Sequence, residues 1–180
     1  MLVSRIRSYR AKGSPMKKLL IACVAAALPW AAVAKDNPDE SFYKNAAEAG
    51  HAEVEAGKAA QAKAVTPAVK EFAAMMVKDH TAANKKLMKL AMTKGVELPT
   101  EPSLMQKAMN KKTDMKSGES FDKDYIEGQI KAHQDTVDLF QKEAAEGKDP
   151  EAKAFAKATL PKLQAHLDKI NQIAAGNGVK

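Results

Sequence analysis

Apolar residues recur at steps of three and four in four long stretches of the chain, a spacing that places them on one face of an α-helix. The clearest stretch runs from Thr66 to Gly95, and its apolar stripe consists of Val69, Phe72, Ala73, Met76, Ala83, Leu87 and Leu90. No stretch reads as a half-buried strand, in which apolar and polar residues alternate. The pattern therefore predicts an all-α fold.

Proline, glycine and capping residues set approximate limits for these helices. We predict four long helices, at about 38–64, 67–95, 120–147 and 150–176, with Ser120 as the N-cap of the third. Two short turns make antiparallel pairs, and the long connection 96–118, with a short helix at about 101–115, carries the chain back along the bundle. The prediction is a four-helix bundle with a long connection, containing a short helix, between helices 2 and 3.

Residues 1–34 differ from the rest of the chain in charge and hydropathy. An apolar run follows Lys17 and Lys18, and Ala32–Ala34 has the A-x-A pattern of a signal-peptide cleavage site. We predict cleavage after Ala34, export to the periplasm, and one domain over 35–180. A lipoprotein acylated at Cys23 is the less favoured alternative, because the apolar run continues beyond that residue. Residues 1–15 are either an extended n-region or an upstream start that is not used.

The net charge of +7 in this 180-residue chain comes mostly from residues 1–34, the predicted leader. Removing the leader's six basic residues from the 29 in the chain leaves 23, against 22 acidic residues. This balance gives little reason to expect a nucleic-acid partner. The sequence also lacks a Gly-rich phosphate loop and a nucleophilic residue paired with a residue that could act as its general base, so nothing in it favours an enzyme.

One polar residue interrupts the apolar stripe of each long helix: Glu53, His80, His133 and His166. Counted from the predicted turn between their helices, Glu53 and His80 differ in depth by only about 3 Å, and so do His133 and His166. Three imidazoles and a carboxylate can bind zinc, copper, iron or manganese, and bundle cores are a known place for such sites. We therefore predict that these four residues bind one transition metal, with Asp79 as a candidate partner outside the ligand set.

Alternatives to this metal site remain open. The four residues can instead hydrogen-bond one another without a metal, because an unpaired buried polar group is costly. Met76 is one turn from His80 and is a further candidate ligand for copper. The remaining methionines of the long helices and the connection are predicted to fill gaps in the core: Met75, Met88, Met92, Met105, Met109 and Met115.

Three segments that end in histidine, FAAMMVKDH (72–80), FDKDYIEGQIKAH (121–133) and LPKLQAH (160–166), resemble a bacterial family of secreted domains of unknown function. Members of that family are often labelled outer membrane proteins and are grouped with the ferritin-like bundles. The resemblance covers nearly all of residues 39–172 and implies a ferritin-like fold and export, with no assigned activity.

This chain departs from the di-iron enzymes of the ferritin-like group, which use Glu-x-x-His on two helices. The residues three positions before the histidines are Val77, Ile130 and Leu163. Because the bridging carboxylates are missing, the sequence predicts a site for a single ion rather than a dinuclear centre. The second hypothesis is a metal-free structural or interaction protein of the cell envelope, whose partner is another envelope protein or further copies of the same chain.

Overall fold

The computed structural model describes residues 37–179, and within this range the chain forms five helices and no strand. The helices are α1 (Glu40–Lys63), α2 (Pro67–Lys94), α3 (Leu104–Asp114), α4 (Gly118–Glu146) and α5 (Pro150–Gly176). The prediction of an all-α, ferritin-like bundle with a short helix in its long connection is therefore confirmed. The predicted leader and its cleavage site after Ala34 lie outside the described residues.

Local signals explain where most of these helices begin and end. Pro67 is the first residue of α2, and Gly95 ends that helix with a φ of 67°, a value that glycine adopts at no steric cost. Asp149 caps α5 by accepting a hydrogen bond from the backbone N–H of Glu151 at 2.9 Å. These boundaries agree with the sequence prediction.

The prediction that Ser120 caps the helix after the long connection is wrong. α4 begins at Gly118 with Ser117 as its N-cap residue, and the Ser120 hydroxyl donates to the carbonyl oxygen of Ser117. Gly118 has a φ of 62°, which lets the chain turn into the helix before it reaches Ser120. The serine is therefore already part of the first helical turn.

Each neighbouring pair of the four long helices is antiparallel. Short turns join α1 to α2 and α4 to α5. At one end of the bundle, Asp122 in the first turn of α4 accepts the backbone N–H groups of residues 65 and 66 in the α1–α2 turn. At the other end, Asp39 before α1 accepts the N–H groups of residues 148 and 149 in the α4–α5 turn. These contacts place α1 antiparallel to α4, so α2 and α4 run in the same direction.

The core consists of two apolar clusters, one towards each end of the bundle. The first cluster contains Phe42, Tyr43, Leu87, Phe140 and Leu163 among its members. The second cluster lies towards the opposite end, and its larger members are Phe72, Met76, Phe121, Ile126 and Ile170. The candidate polar residues lie at the middle of their helices, between these clusters.

The prediction that the methionines fill the core is wrong for most of them. Met76 is fully buried, but five others are exposed: Met88, Met92, Met105, Met109 and Met115. Three of these belong to α3 or follow it directly, and α3 contributes no buried residue. The short helix lies outside the four-helix core, so its apolar residues face water. No helix within the described residues combines the length and hydropathy of a membrane span.

Candidate metal centre

Three histidines from three different helices meet at mid-depth in the bundle: His80 on α2, His133 on α4 and His166 on α5. Their ring centroids are 5.5 to 5.7 Å apart. One nitrogen from each ring lies within 4.8 Å of the other two. All three side chains are buried, with exposed fractions of 1–6%. The structure thus brings together three of the four residues that the sequence analysis proposes as ligands.

Each of these histidines has one buried ring nitrogen without a hydrogen-bond partner among the described residues: His80 Nε2, His133 Nε2 and His166 Nδ1. In two of the rings, the other nitrogen is engaged. His133 Nδ1 donates to the carbonyl oxygen of Gln129 at 3.0 Å, and His166 Nε2 donates to Asp79 Oδ2 at 3.0 Å. A proton on the engaged nitrogen leaves a lone pair on the unpartnered one, and this is the form that binds a metal.

Asp79 orients His166 and is itself held by Lys162. Asp79 Oδ2 lies 3.0 Å from His166 Nε2 and 3.0 Å from Lys162 Nζ. Burial acts to raise the pKa of Asp79, but the hydrogen bonds from Lys162 and His166 outweigh it and lower the pKa overall. The carboxylate therefore stays ionised near neutral pH. Its partner is His166, across the α2–α5 interface, rather than its sequence neighbour His80.

Glu53 lies beside His133, at the ring edge that carries Nδ1. Its Oε1 atom is 3.9 Å from His133 Nδ1, and its Oε2 atom accepts a hydrogen bond from Gln129 Nε2 at 2.7 Å. Burial raises the pKa of Glu53, and the nearby His133 and Gln129 offset this only in part. Glu53 does not belong to the group of mutually close ligand atoms. A role for it as a ligand stays a prediction.

Burial also keeps two of the three histidines neutral. It lowers the pKa of His80 to about 3, and the adjacent His133 and His166 act in the same direction. Burial lowers the pKa of His166 as well, against the opposing effect of its hydrogen bond to Asp79. Near neutral pH both rings are therefore uncharged. Neutral imidazole is the protonation state that a metal ion requires.

Sequence reasoning missed two residues that support the cluster, Gln129 and Lys162. Gln129 stands four residues before His133, and Lys162 stands four residues before His166. Residues at this spacing share one face of a helix, so a polar residue one turn before a core histidine was the available signal. The fourth histidine, His51, is only partly buried and lies outside the cluster.

A groove of about 800 Å³ opens between α1, α3 and α4. Glu53, Tyr125 and Gln129 belong to its lining, whereas His80, His133 and His166 do not. The groove therefore reaches the polar layer from the side of Glu53.

The chemistry that the buried histidines can supply is nitrogen coordination of a single ion, without bridging carboxylates.

The fold and this site define a ferritin-like helical bundle with a buried cluster of three histidines. The chain belongs to the family described as "Domain of unknown function (DUF4142)", which matches residues 25–173. This confirms the resemblance to a family of unknown function. Neither the family description nor the similar structures support the outer membrane label.

Two solved structures are similar in fold. A protein from Streptomyces coelicolor, described as a secreted protein DUF305, has a TM-score of 0.70 and 13% identity, over 81% of this chain and 95% of that one. A conserved hypothetical protein from Mycobacterium tuberculosis has a TM-score of 0.60 and 16% identity, over 76% of this chain and 90% of that one. At such identities the similarity concerns the fold alone. No protein of curated function matches the sequence.

Proposed function

We propose that this protein binds one transition-metal ion through His80, His133 and His166, and that it serves metal handling or envelope stress in the periplasm. One observation carries the metal site: three buried histidines from three helices each offer a ring nitrogen within 4.8 Å of the others, and each has a buried ring nitrogen without a hydrogen-bond partner in the described part of the chain. Leaving each unpaired costs about 1–3 kcal/mol. A bound ion would satisfy all three at once.

The geometry is close to what a mononuclear site needs. Nitrogen ligands bind zinc at about 2.0–2.1 Å, so two of them in tetrahedral geometry lie about 3.4 Å apart. Nitrogens that are at most 4.8 Å apart would have to approach by no more than about 1.4 Å to reach this arrangement. Imidazole suits zinc, copper and iron, and copper(II) is expected to bind most tightly among the divalent ions.

The proposed periplasmic localisation of the protein is based on the sequence of the leader. Two lysines, an apolar run and the small residues Ala32–Ala34 support a signal peptide. Cleavage after Ala34 would release one domain, 35–180, into the periplasm. An exported metal-binding bundle fits a role in holding or buffering an ion outside the cytoplasm.

Metal analysis of the purified protein tests this function. After chelation and reloading with Zn²⁺ or Cu²⁺, we expect one ion per chain in the wild type, and loss of most of that ion in His80→Ala and His133→Ala. His51→Ala is the matched control, because His51 lies outside the cluster, and it should bind as the wild type does. Substoichiometric metal in the wild type, unchanged in the cluster variants, would refute the proposal.

A metal-free interaction protein of the envelope is the second candidate, and the exposure of α3 favours it. Leu104, Met105 and Met115 are 71–85% exposed, and large exposed apolar side chains are a common feature of sites of protein association. In this case His80→Ala and His133→Ala would lower the free energy of unfolding in the presence of a chelator without any loss of bound ion. The same metal analysis therefore separates the two candidates.

A further inference from the structure

A small cavity of about 30 Å³ adjoins the histidine cluster. Its lining includes His80 and His166 together with five other polar residues: Asp79, Asn84, Thr136, Thr159 and Lys162. A buried water needs about 10–15 Å³, so the cavity has room for two or three waters or for a ligand of two or three heavy atoms. Glu53 and His133 do not line it.

The wall formed by α1 and α2 leaves this space open because its residues are small. Ala46, Ala49, Gly50 and Ala83 are part of the lining. A Cβ atom on Gly50 would lie 1.9 Å from Asn84 Oδ1. The absence of a side chain at Gly50 therefore makes room for the Asn84 amide at the edge of the cavity.

Three protein ligands leave a tetrahedral ion incomplete. Among the described residues, no fourth histidine, cysteine, aspartate or glutamate joins the group of close ligand atoms. Sites with three protein ligands commonly take water or an exogenous molecule in the fourth position. Two of the three proposed ligands, His80 and His166, line the cavity, so we expect such a ligand to approach the ion from it.

The charges around the cavity favour an anion. A divalent ion with three neutral imidazoles carries two positive charges, and the only carboxylate in the lining, Asp79, is paired with Lys162 at 3.0 Å. Lys162 and the Asn84 amide add donors at the cavity edge. We infer that the metal site keeps one coordination position open to this cavity, and that a small anion of two or three heavy atoms binds there. This inference rests on the proposed metal site.

Cobalt(II) and azide provide the test, because Co²⁺ reports its coordination through visible absorption. The purified protein is loaded with Co²⁺ and titrated with azide. We expect azide to change the Co²⁺ spectrum of the wild type. In Ala83→Leu, which fills the cavity, Co²⁺ should still bind while azide binds at least about tenfold more weakly. Ala82→Leu is the matched control, since Ala82 is exposed on the same helix and does not line the cavity.

The outcomes distinguish a failure of the proposed metal site from a failure of the open coordination position. No Co²⁺ spectrum in the wild type overturns the proposed metal site and the inference with it. A Co²⁺ spectrum that azide does not change overturns the open position and leaves the metal site standing. Equal azide affinity in the wild type and Ala83→Leu overturns the opening of that position to this cavity. Circular dichroism checks folding of each variant. Should Ala83→Leu not fold, Ala83→Val gives a smaller filling of the same space, with a smaller loss of azide affinity expected.

Discussion

At mid-depth in the bundle, three imidazole rings occupy positions that apolar side chains fill in the layers on either side. The rings of His133 and His166 each keep one nitrogen hydrogen-bonded, to the backbone carbonyl of Gln129 and to Asp79 respectively. Each of the three rings has a nitrogen without a partner among residues 37–179. A polar network built only for stability would be expected to satisfy both nitrogens of each ring. The unpartnered atoms therefore favour coordination over a purely structural role.

The role of Asp79 leads to a prediction at the scale of the residue. Asp79→Asn removes the charge that holds the proton on His166 Nε2, so His166 Nδ1 becomes a poorer ligand. We expect metal affinity to fall by about 10–100-fold, measured by competition with a chelator of known affinity. Asp168→Asn is the matched control, because Asp168 is an exposed residue of the same helix as His166. Equal affinity in wild type and Asp79→Asn would contradict the role assigned to Asp79.

The sequence located the candidate histidines and named Asp79 as a candidate partner, but it did not show which histidine Asp79 contacts. Counting residues from each turn gave the depth of His80, His133 and His166, because the rise per residue in a helix is constant. The same counting placed Glu53 at this depth, but the structure puts it beside Nδ1 of His133, away from the unpartnered nitrogens. Depth alone does not specify which edge of a ring a neighbour faces.

Among the elements, α1 and α2 pack closely because α1 presents glycine and alanine to its neighbour. A Cβ atom at Gly57 would lie 2.8 Å from Val77 Cγ2 and 3.0 Å from the backbone oxygen of Ala73. A backbone atom within a helix cannot move aside as easily as the end of a flexible side chain can. The spacing between α1 and α2, which also positions Asn84 at the cavity, therefore depends on the missing side chain.

Two glycine-to-alanine changes test this packing. Gly57→Ala should lower the free energy of unfolding by about 1–3 kcal/mol, because the added methyl group forces the helices apart. Gly128→Ala is the control within α4, where a Cβ atom meets nothing within 4 Å, and it should raise stability by roughly 0.5–1 kcal/mol. Chemical denaturation measures both. A neutral or stabilising effect of Gly57→Ala would show that the α1–α2 contact is not tight.

Over the whole molecule, two buried aspartates connect the helical hairpins at opposite ends of the bundle. Asp39 accepts N–H groups from the α4–α5 turn, and Asp122 accepts N–H groups from the α1–α2 turn. Each hairpin thus supplies the acceptor for the turn of the other. These contacts help to fix the relative position of the hairpins, and with it the meeting of His80 with His133.

Removing one of these carboxylates should weaken the whole bundle. Asp122→Ala leaves the backbone N–H groups of Val65 and Thr66 without their acceptor in a partly buried turn, and we expect a loss of about 2–4 kcal/mol in the free energy of unfolding. Asp124→Ala is the control, because Asp124 pairs with Lys116 near the surface and should cost less than about 1 kcal/mol. Similar losses in the two variants, measured by urea denaturation, would argue against this role for Asp122.

The order and class of the helices, their approximate ends and the depth of each histidine followed from the sequence alone, because periodicity, caps and rise per residue are local properties. The tertiary structure decided three other features: the exposure of the methionines around α3, the pairing of Asp79 with His166, and the small cavity beside Ala83. These depend on how helices rotate and approach one another. That arrangement is set by contacts between residues far apart in the chain, which no local spacing encodes.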